Sequence, residues 1–594
     1  MAILAETDGP VLGVANSVMG RVWLPRCRDD RLALALAQRL AIPEIIARIL
    51  IGRGIGLEDA EAYLAPSLRT WLPDPAKFAD MDMAAERLAR AIRAGEGIAL
   101  FGDYDVDGAT SVALMSRFLR ALGANPQIYI PDRLREGYGP TAPAMRRLGE
   151  EGAKVVLTLD CGTGQHTALA SARAFGLDVI VVDHHLAEPA LPPAAAIVNP
   201  HRLDRAGPAP ELAAVGLAFL LSVAVNRRLR QEGWFADRPE PDLMRWLDLV
   251  ALGTVCDLAP LRGVNRALVA QGLKILAMRR APGLAALSDI AGLEEPPGVY
   301  HLAYLLGPRI NAGGRIGQAD LGVRLLLSDE PAEASRLAGM LDRLNRERQA
   351  IEAEVLAAAL GQIGRQKLGA VAVAMGDWHP GVIGIVAAKL KEATDRPSIV
   401  IALANGVGKG SGRSVAGVDL GAAVTAARQA GHLENGGGHP MAAGFTVTAD
   451  KIEAFKDFLE RRIAAMRPVP VRPSLGLDGT LGLGAATEDF LDLMSRAGPY
   501  GAGNPEPRFA LVHARLTWAE AVGEKHVRCM LADGAGNRLK GIAFASLGVP
   551  LGPALLKAYA QAKPWHVAGH LRADYFRGDK RLQFVIEDAA ETGK

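Results

Sequence analysis

Carboxylates and imidazoles repeatedly close apolar runs in this sequence: Phe101-Gly-Asp-Tyr-Asp-Val-Asp-Gly108, Leu157-Thr-Leu-Asp160, Val181-Val-Asp-His-His185, Asn199-Pro-His201 and Gly253-Thr-Val-Cys-Asp257. A buried strand gains nothing by ending in such groups, because each loses its water unless something pairs with it. Oxygen and imidazole ligands gathered at one sheet edge suit Mg²⁺ or Mn²⁺. Two such ions close together are a means of cutting phosphodiesters.

Each segment has a plainer alternative. Asp103, Asp105 and Asp107 alternate, so in an extended chain they share a face at i, i+2. Three carboxylates that close raise one another's pKa unless a cation sits among them. The alternative is a calcium-style or turn-forming loop. Asp160 could be a helix N-cap for the Gly-Thr-Gly-Gln that follows, but beside the other acids it reads as a bridging ligand. A lone histidine is more often packed than ligating. Two in a row after an acid, in Asp183-His184-His185, fit one imidazole on metal and one handling a proton or a leaving oxygen. Asp257 follows a helical pattern and could simply end it.

Two further stretches suit phosphate. Gly408-Lys-Gly-Ser-Gly-Arg-Ser414 reads as a Gly-rich loop whose backbone N–H groups can approach an anion while an arginine grips it; the P-loop order is absent. The Gly436-Gly-Gly438 run before His439 could be a flexible turn only, but beside the 408–414 loop it reads as substrate-facing. Pro308-Arg-Ile-Asn-Ala-Gly-Gly-Arg315 offers two more guanidiniums in what looks like a polar, Gly-rich loop.

The elements that must position these groups follow from periodicity. Short β-rich runs near 98–101, 127–130, 155–159, 179–182 and 196–198 alternate with helical stretches, the pattern of a doubly wound parallel sheet. In such a sheet the site lies at the carboxyl ends of the strands, where the acids fall. Residues 82–94 form an amphipathic helix, 242–280 read as helices, and 331–365 as one long helix connecting domains. A second α/β unit starts near 369. From about 471, short alternating segments predict a small β-barrel.

The chain has 594 residues, room for roughly three or four domains. A net charge of +2 neither demands nor excludes nucleic acid. Cys27, Cys161, Cys256 and Cys529 are far apart and form no CxxC, which argues for reduced cytoplasmic thiols over a zinc site or disulfides. The start lacks a basic n-region, so no secretory signal is expected. The apolar run 213–225 suits a buried helix better than a membrane span.

The ordered motifs resemble those of the DHH phosphoesterases: Gly102-Asp-Tyr-Asp-Val-Asp-Gly, Asp160, Asp183-His-His and Gly-Thr-Val-Cys-Asp257. Trp378-His-Pro-Gly-Val-Ile-Gly-Ile-Val-Ala387, Gly408–Ser414 and Gly437-Gly-His-Pro-Met-Ala-Ala-Gly444 look like the DHH-associated domain. Leu306-Gly-Pro-Arg-Ile-Asn-Ala-Gly-Gly-Arg315 and Tyr500-Gly-Ala-Gly-Asn-Pro-Glu-Pro507 narrow the resemblance to the RecJ type, bacterial exonucleases that degrade single-stranded DNA from the 5′ end. Pro380 and Pro440 stand where that family usually has Gln and Ala, and Gly313 where it has Ala; none of these removes a ligand.

The resemblance implies an N-terminal segment (1–75), a DHH domain (76–330), a connector helix (331–366), a DHH-associated domain (367–468) and an OB-fold (469–594). It implies two Mg²⁺ or Mn²⁺ ions on Asp105, Asp107, Asp160, His184 and Asp257, with Asp160 bridging and Asp103 ligating or supporting. Asp183 and His185 would orient ligands or handle protons. Arg309, Ser411 and Arg413 would grip the 5′-terminal phosphate, Asn311 and Arg315 would help bind substrate, and His379 and His439 would line the cleft. Water would attack phosphorus in line, with 5′-mononucleotides as product. Bases could stack on aromatics, Tyr138 being one candidate. Single-stranded DNA, with a single-strand-binding protein and a helicase, are the expected partners. A small-substrate DHH hydrolase and a non-catalytic DNA-binding scaffold are the rivals; the barrel argues against the first and the complete ligand set against the second.

Overall fold

The computed structural model describes residues 9–133, 135–365, 369–466, 472–576 and 579–592. The reading of the first residues as lacking a secretory signal lies outside these, as do the domain edges expected at 366–368 and 468–469. Among the described residues no helix is long and apolar enough to cross a membrane.

After a short strand near the start (β1, Val22–Pro25), the chain builds a five-stranded parallel sheet from β2 (Ile98–Gly102), β3 (Gln127–Tyr129), β4 (Val155–Leu159), β5 (Asp178–Val182) and β6 (Ala196–Val198). Its order is β3-β2-β4-β5-β6. The central strands β2 and β4 are buried at every position because both faces of the sheet are covered. Leu100, Leu157, Ile180 and Val182 pack under helices Met81–Ala94, Val106–Ala121 and Ala214–Gln231. Their neighbours Ala99, Phe101, Val156 and Val181 pack on the other side, under Ala142–Glu150 and His166–Ala174. The chain leaves β2 for one edge and then crosses to β4 on the other side. A crevice therefore opens between the ends of β2 and β4, where the Asp103–Asp107 loop and Asp160 emerge.

Two close approaches complete this edge. A Cβ on Gly108 would lie 2.5 Å from the Asp103 carbonyl oxygen, so only glycine lets the acidic loop fold back on itself. A Cβ on Gly253 would lie 2.3 Å from Thr110 Oγ1. Its absence lets helix Leu247–Cys256 press against Val106–Ala121 and deliver Asp257, at its C-cap, to the crevice.

The long helix Pro331–Ile363 leads to a second sheet of β7 (Ala372–Gly376), β8 (Ser398–Ala404), β9 (Val407–Arg413), β10 (Asn435–His439) and β11 (Ala442–Thr448), ordered β10-β11-β9-β8-β7. Only β7 and β8 run parallel. Two expected loops and one possible turn are corrected here. Residues 408–413 belong to β9, and 436–439 to β10, because neighbouring strands supply hydrogen bonds that override the weak strand preference of glycine. Pro308–Arg315 lies in helix Gly307–Ile316, packed against Pro331–Ile363.

The last part forms β12 (Ser474–Leu477), β13 (Gly479–Leu481), β14 (Phe509–Val522), β15 (His526–Ala532), β16 (Arg538–Ala543), β17 (Pro564–Phe576) and β18 (Asp579–Glu591). β14 pairs with both β15 and β17, which closes a barrel in the order β14-β15-β16-β18-β17. The expected N-terminal segment is joined to it. β1 pairs in parallel with β12, and Ile46, Ile49 and Leu50 share one core with Phe509, Leu511, Leu555 and Val567.

The side chain of Asp478, 0% exposed, ties this unit together. It accepts hydrogen bonds from Arg26 Nη1 (2.7 Å), Arg53 Nη1 (3.1 Å) and the Arg508 backbone N–H (2.9 Å). Asp478→Asn keeps an acceptor but leaves two guanidiniums without a counter-charge. We expect a loss of about 2 kcal/mol in denaturant unfolding, with kcat unchanged.

Candidate active site

The predicted acids and imidazoles converge at the sheet edge. Asp105 caps helix Val106–Ala121 through its Oδ1 and the Gly108 N–H (3.1 Å). Asp107 reaches across to the start of Ala214–Gln231 and accepts from the N–H groups of Ala214 (2.7 Å) and Val215 (2.9 Å), where the helix dipole favours an anion. Asp160 ends β4 with φ 65° and its side chain turned into the crevice. His184 Nε2 lies 3.2 Å from Asp160 Oδ1 and 3.8 Å from Asp107 Oδ2, and its Nδ1 lies 3.8 Å from Asp257 Oδ2.

Asp183 supports the neighbouring ring. Its Oδ1 accepts from the N–H groups of His184 (2.8 Å) and His185 (3.2 Å) and lies 2.7 Å from His185 Nδ1; its Oδ2 accepts from the Thr163 N–H (3.0 Å). Asn199 donates to Thr163 Oγ1 and to the His185 carbonyl, each at 2.9 Å, and accepts from the His201 N–H. The segments at 183–185 and 199–201 are thus one hydrogen-bonded support.

Electrostatics sort the groups. Burial, followed by the charge of Asp107, pushes the Asp160 carboxyl well above its ordinary range. Burial with Asp105 does the same to Asp103, and burial with Asp257 to Asp107. Burial and the Asp105 charge raise Asp257 to about 7. Burial and the His185 charge lower His184 to about 4, leaving a neutral ring with lone pairs to offer. Burial opposes charge on His185 too, but its hydrogen bond to Asp183 prevails and raises it to about 9.

These donors fit divalent cations. Asp103 Oδ1, Asp160 Oδ1 and His184 Nε2 are buried with no hydrogen-bond partner among the described residues, a costly state that a cation would relieve. Three sets have ligand atoms within 4.8 Å of one another: Asp103, Asp105 and Asp160; Asp160, His184 and His185; Asp107, His184 and Asp257. Asp160 and His184 are each shared between sets, which suits two adjacent ions.

Beside the cluster, at Tyr138 and Cys256, lies a cleft of about 1130 Å³ between the parallel-sheet domain and the second sheet. Asn311, Arg315, Ser411 and Arg413 line it, as does Arg133, which the sequence reading passed over. On β9 the buried glycines alternate with Lys409, Ser411 and Arg413, so the polar side chains share the cleft-facing side. Arg315 donates to the Gly381 carbonyl (3.1 Å), and Arg413 to Ser411 Oγ (3.2 Å) and the Gly412 carbonyl (2.9 Å). Burial, then the charges of Arg133, Arg348 and Arg413, lower Arg315 to about 10; burial and Arg133 lower Arg413. Guanidiniums crowded in this way call for an anion.

Three residues sit elsewhere. Arg309 turns away to Asp342 of the long helix (3.0 Å) and to the Leu305 carbonyl (2.7 Å). His379 accepts from the Gly381 N–H (3.0 Å) and lines a smaller recess with Arg133 and Arg315. His439 is exposed at the end of β10. Tyr138 lines the cleft, with its hydroxyl donating to the Asp160 carbonyl (3.0 Å) and lying 3.1 Å from His185 Nδ1.

Comparison with known proteins agrees with this architecture. Residues 97–254 match the DHH family N-terminal domain, 368–465 the DHHA1 domain and 477–588 the RecJ OB domain. The single-stranded-DNA-specific exonuclease RecJ of Escherichia coli is 37% identical over 563 residues, spanning 92% of this chain and 96% of that protein. The Bacillus subtilis protein of the same name is 33% identical over 579 residues, spanning 96% and 70%. The crystal structure of Thermus thermophilus RecJ in complex with Mn²⁺ aligns with a TM-score of 0.77 at 32% identity, covering 95% of this chain and 78% of that one. The same protein with Mg²⁺ gives 0.73 at 31%, covering 95% and 77%.

Proposed function

The chain belongs to the RecJ family of single-stranded-DNA-specific DHH exonucleases, and from that premise we propose that it removes 5′-mononucleotides one at a time in the 5′→3′ direction. It is a metal-dependent hydrolase with Mn²⁺ or Mg²⁺ as cofactor, and its work falls in DNA repair and recombination. One observation carries the polarity: a cleft lined by Arg133, Arg315 and Arg413, for which no carboxylate ion pair is found among the described residues, lies beside the acid-and-imidazole cluster.

The roles follow from position. Asp105, Asp107, Asp160, His184 and Asp257, with Asp103 beside them, would hold two cations. When bound, such ions lend Lewis acidity to water and to the phosphate under attack. Arg315, Arg413, Ser411 and Arg133 would hold the terminal phosphate, and Asn311 would contact the strand behind it. Asp183 fixes the His185 ring, which offers an N–H donor to the leaving 3′ oxygen. The domain limits of the resemblance, with 27–64 joined to the barrel, are our division of the chain. A single-strand-binding protein and a helicase are the partners that would present opened strands to this cleft. Free thiols at Cys27, Cys161, Cys256 and Cys529 fit a reducing cytoplasm.

The test is digestion of a single-stranded DNA 30-mer labelled at either end, with Mn²⁺, beside its blunt duplex and an EDTA control. Immediate release of the 5′-labelled mononucleotide from the single strand alone is expected. Release of the 3′ label first would reverse the polarity. Hydrolysis of dinucleotides with the 30-mer left intact would favour the small-substrate rival.

A further inference from the structure

The cleft carries aromatic surface besides Tyr138. The Tyr138 hydroxyl is tied down and its ring stands edge-on to His185. Tyr300 and Tyr304, in contrast, are 60% and 67% exposed. Their ring centroids are 5.2 Å apart and their planes are tilted by 31°. Single exposed aromatics are ordinary. These two are set apart by how they are held and where they lie.

Tyr300 caps, and Tyr304 lies within, a π-type turn, His301–Leu306, immediately before the arginine-bearing helix. Such turns carry about one extra residue and tend to mark functional sites. Here the wider turn sets residues four apart on one side. Leu302 and Leu306 are wholly buried beneath it. Cys256, next to Asp257, donates through Sγ to the Leu302 carbonyl (3.4 Å). His301 accepts from the Gly298 N–H (2.9 Å) and lies 2.7 Å from Glu295. The rings therefore stand on a braced base. Tyr304 lines the cleft with Asn311 and Arg413. Tyr300 lies one step outward, on the side of Arg572 of β17, and the preceding Val299 packs close to Gly501, where an added Cβ would lie 3.1 Å from Val299 Cγ1. The pair runs from the cleft toward the barrel.

We propose that Tyr304 and Tyr300 form a two-ring stacking platform for the nucleobases of the strand leaving the cleft toward the barrel. The proposal rests on the exonuclease reading above. Base–aromatic stacking is sequence-tolerant because every base offers a π-face. It holds the strand in register for the next phosphate without selecting a sequence.

The test uses the full-length protein, a 5′-phosphorylated 20-mer, and the same strand with abasic sites at its second to fifth positions. For Tyr304→Ala, KM on the normal strand should rise about tenfold or more with kcat nearly unchanged. On the abasic strand the variant should match wild type, because nothing is left to stack. Tyr304→Phe should restore the wild-type KM and Tyr304→Leu should not. Tyr300→Ala should show a smaller rise that adds to the first. A wild-type KM for Tyr304→Ala on the normal strand would overturn the platform, as would an equal loss on the abasic strand. Failure of the wild-type enzyme to degrade the normal strand would instead bring down the exonuclease reading, and the platform with it.

Discussion

Asp160→Asn should lower kcat about 10³-fold or more, corresponding to the several kcal/mol a shared cation ligand contributes to phosphoryl chemistry. Asn is the informative replacement. Residue 160 has φ 65°, a conformation that Asn tolerates and most side chains do not, so backbone strain is not confused with lost ligation. A second readout separates ligation from damage. In chelated wild type, burial and the Asp107 charge hold the Asp160 carboxyl above its ordinary range, and Asp257 stands at about 7. A folded-state pKa above the unfolded value of about 4 means that the folded form keeps protons the unfolded form has released. Stability of the chelated protein therefore falls as pH rises from about 4 toward 7. Mn²⁺ should raise the wild-type Tm at neutral pH and raise that of Asp160→Asn far less. Chelated Asp160→Asn should melt above chelated wild type. A variant that melts lower, or digests DNA at the wild-type rate, would remove Asp160 from the metal site.

Replacing Arg315 and Arg413 together by Ala should cost about 10²–10⁴ in kcat/KM on a 5′-phosphorylated strand, taking about 1.5–3 kcal/mol for each hydrogen bond to a charged group. The same enzyme should treat 5′-phosphate and 5′-hydroxyl ends alike, whereas wild type should prefer the phosphate. Both guanidiniums line the cleft, and burial, followed by neighbouring positive charge, lowers the pKa of each. Arg309→Ala is the internal comparison. Its partner is Asp342 rather than the cleft, so it should alter stability and leave the ratio between the two ends unchanged. Persistence of the phosphate preference in the double variant would move the end-recognition site elsewhere.

The acids were legible because each ends a strand or helix whose apolar pattern is itself legible: Asp160 after Val155–Leu159, Asp183 after Asp178–Val182, Asp257 after Leu247–Cys256. The parallel order then forces them to one edge. Arg133 obeys the same logic, four residues beyond the end of β3 at Tyr129, and was missed because one arginine in a polar loop carries no pattern. Arg309 shows the reverse error. Its helix contains Pro308, Gly313 and Gly314, so local preference reads as loop, and only packing against Pro331–Ile363 makes it helical and turns Arg309 to Asp342. Glycines misled again in β9 and β10, where sheet pairing overrides preference. That Ile46 and Leu50 share a core with Phe509 was beyond reach, since periodicity shows which face is apolar but not what covers it.

That shared core sets a timetable for synthesis. The helices around Ile46 and Leu50 leave the ribosome early, yet the barrel strands that bury them follow roughly four hundred residues later, on the order of 20–80 s at ~5–20 residues per second. Through that interval the nascent chain carries an apolar face with no native partner, while the parallel-sheet domain between can already fold. A message cut short before the barrel would yield a chain with an intact catalytic half and a permanently uncovered front end, a substrate for chaperones and proteases.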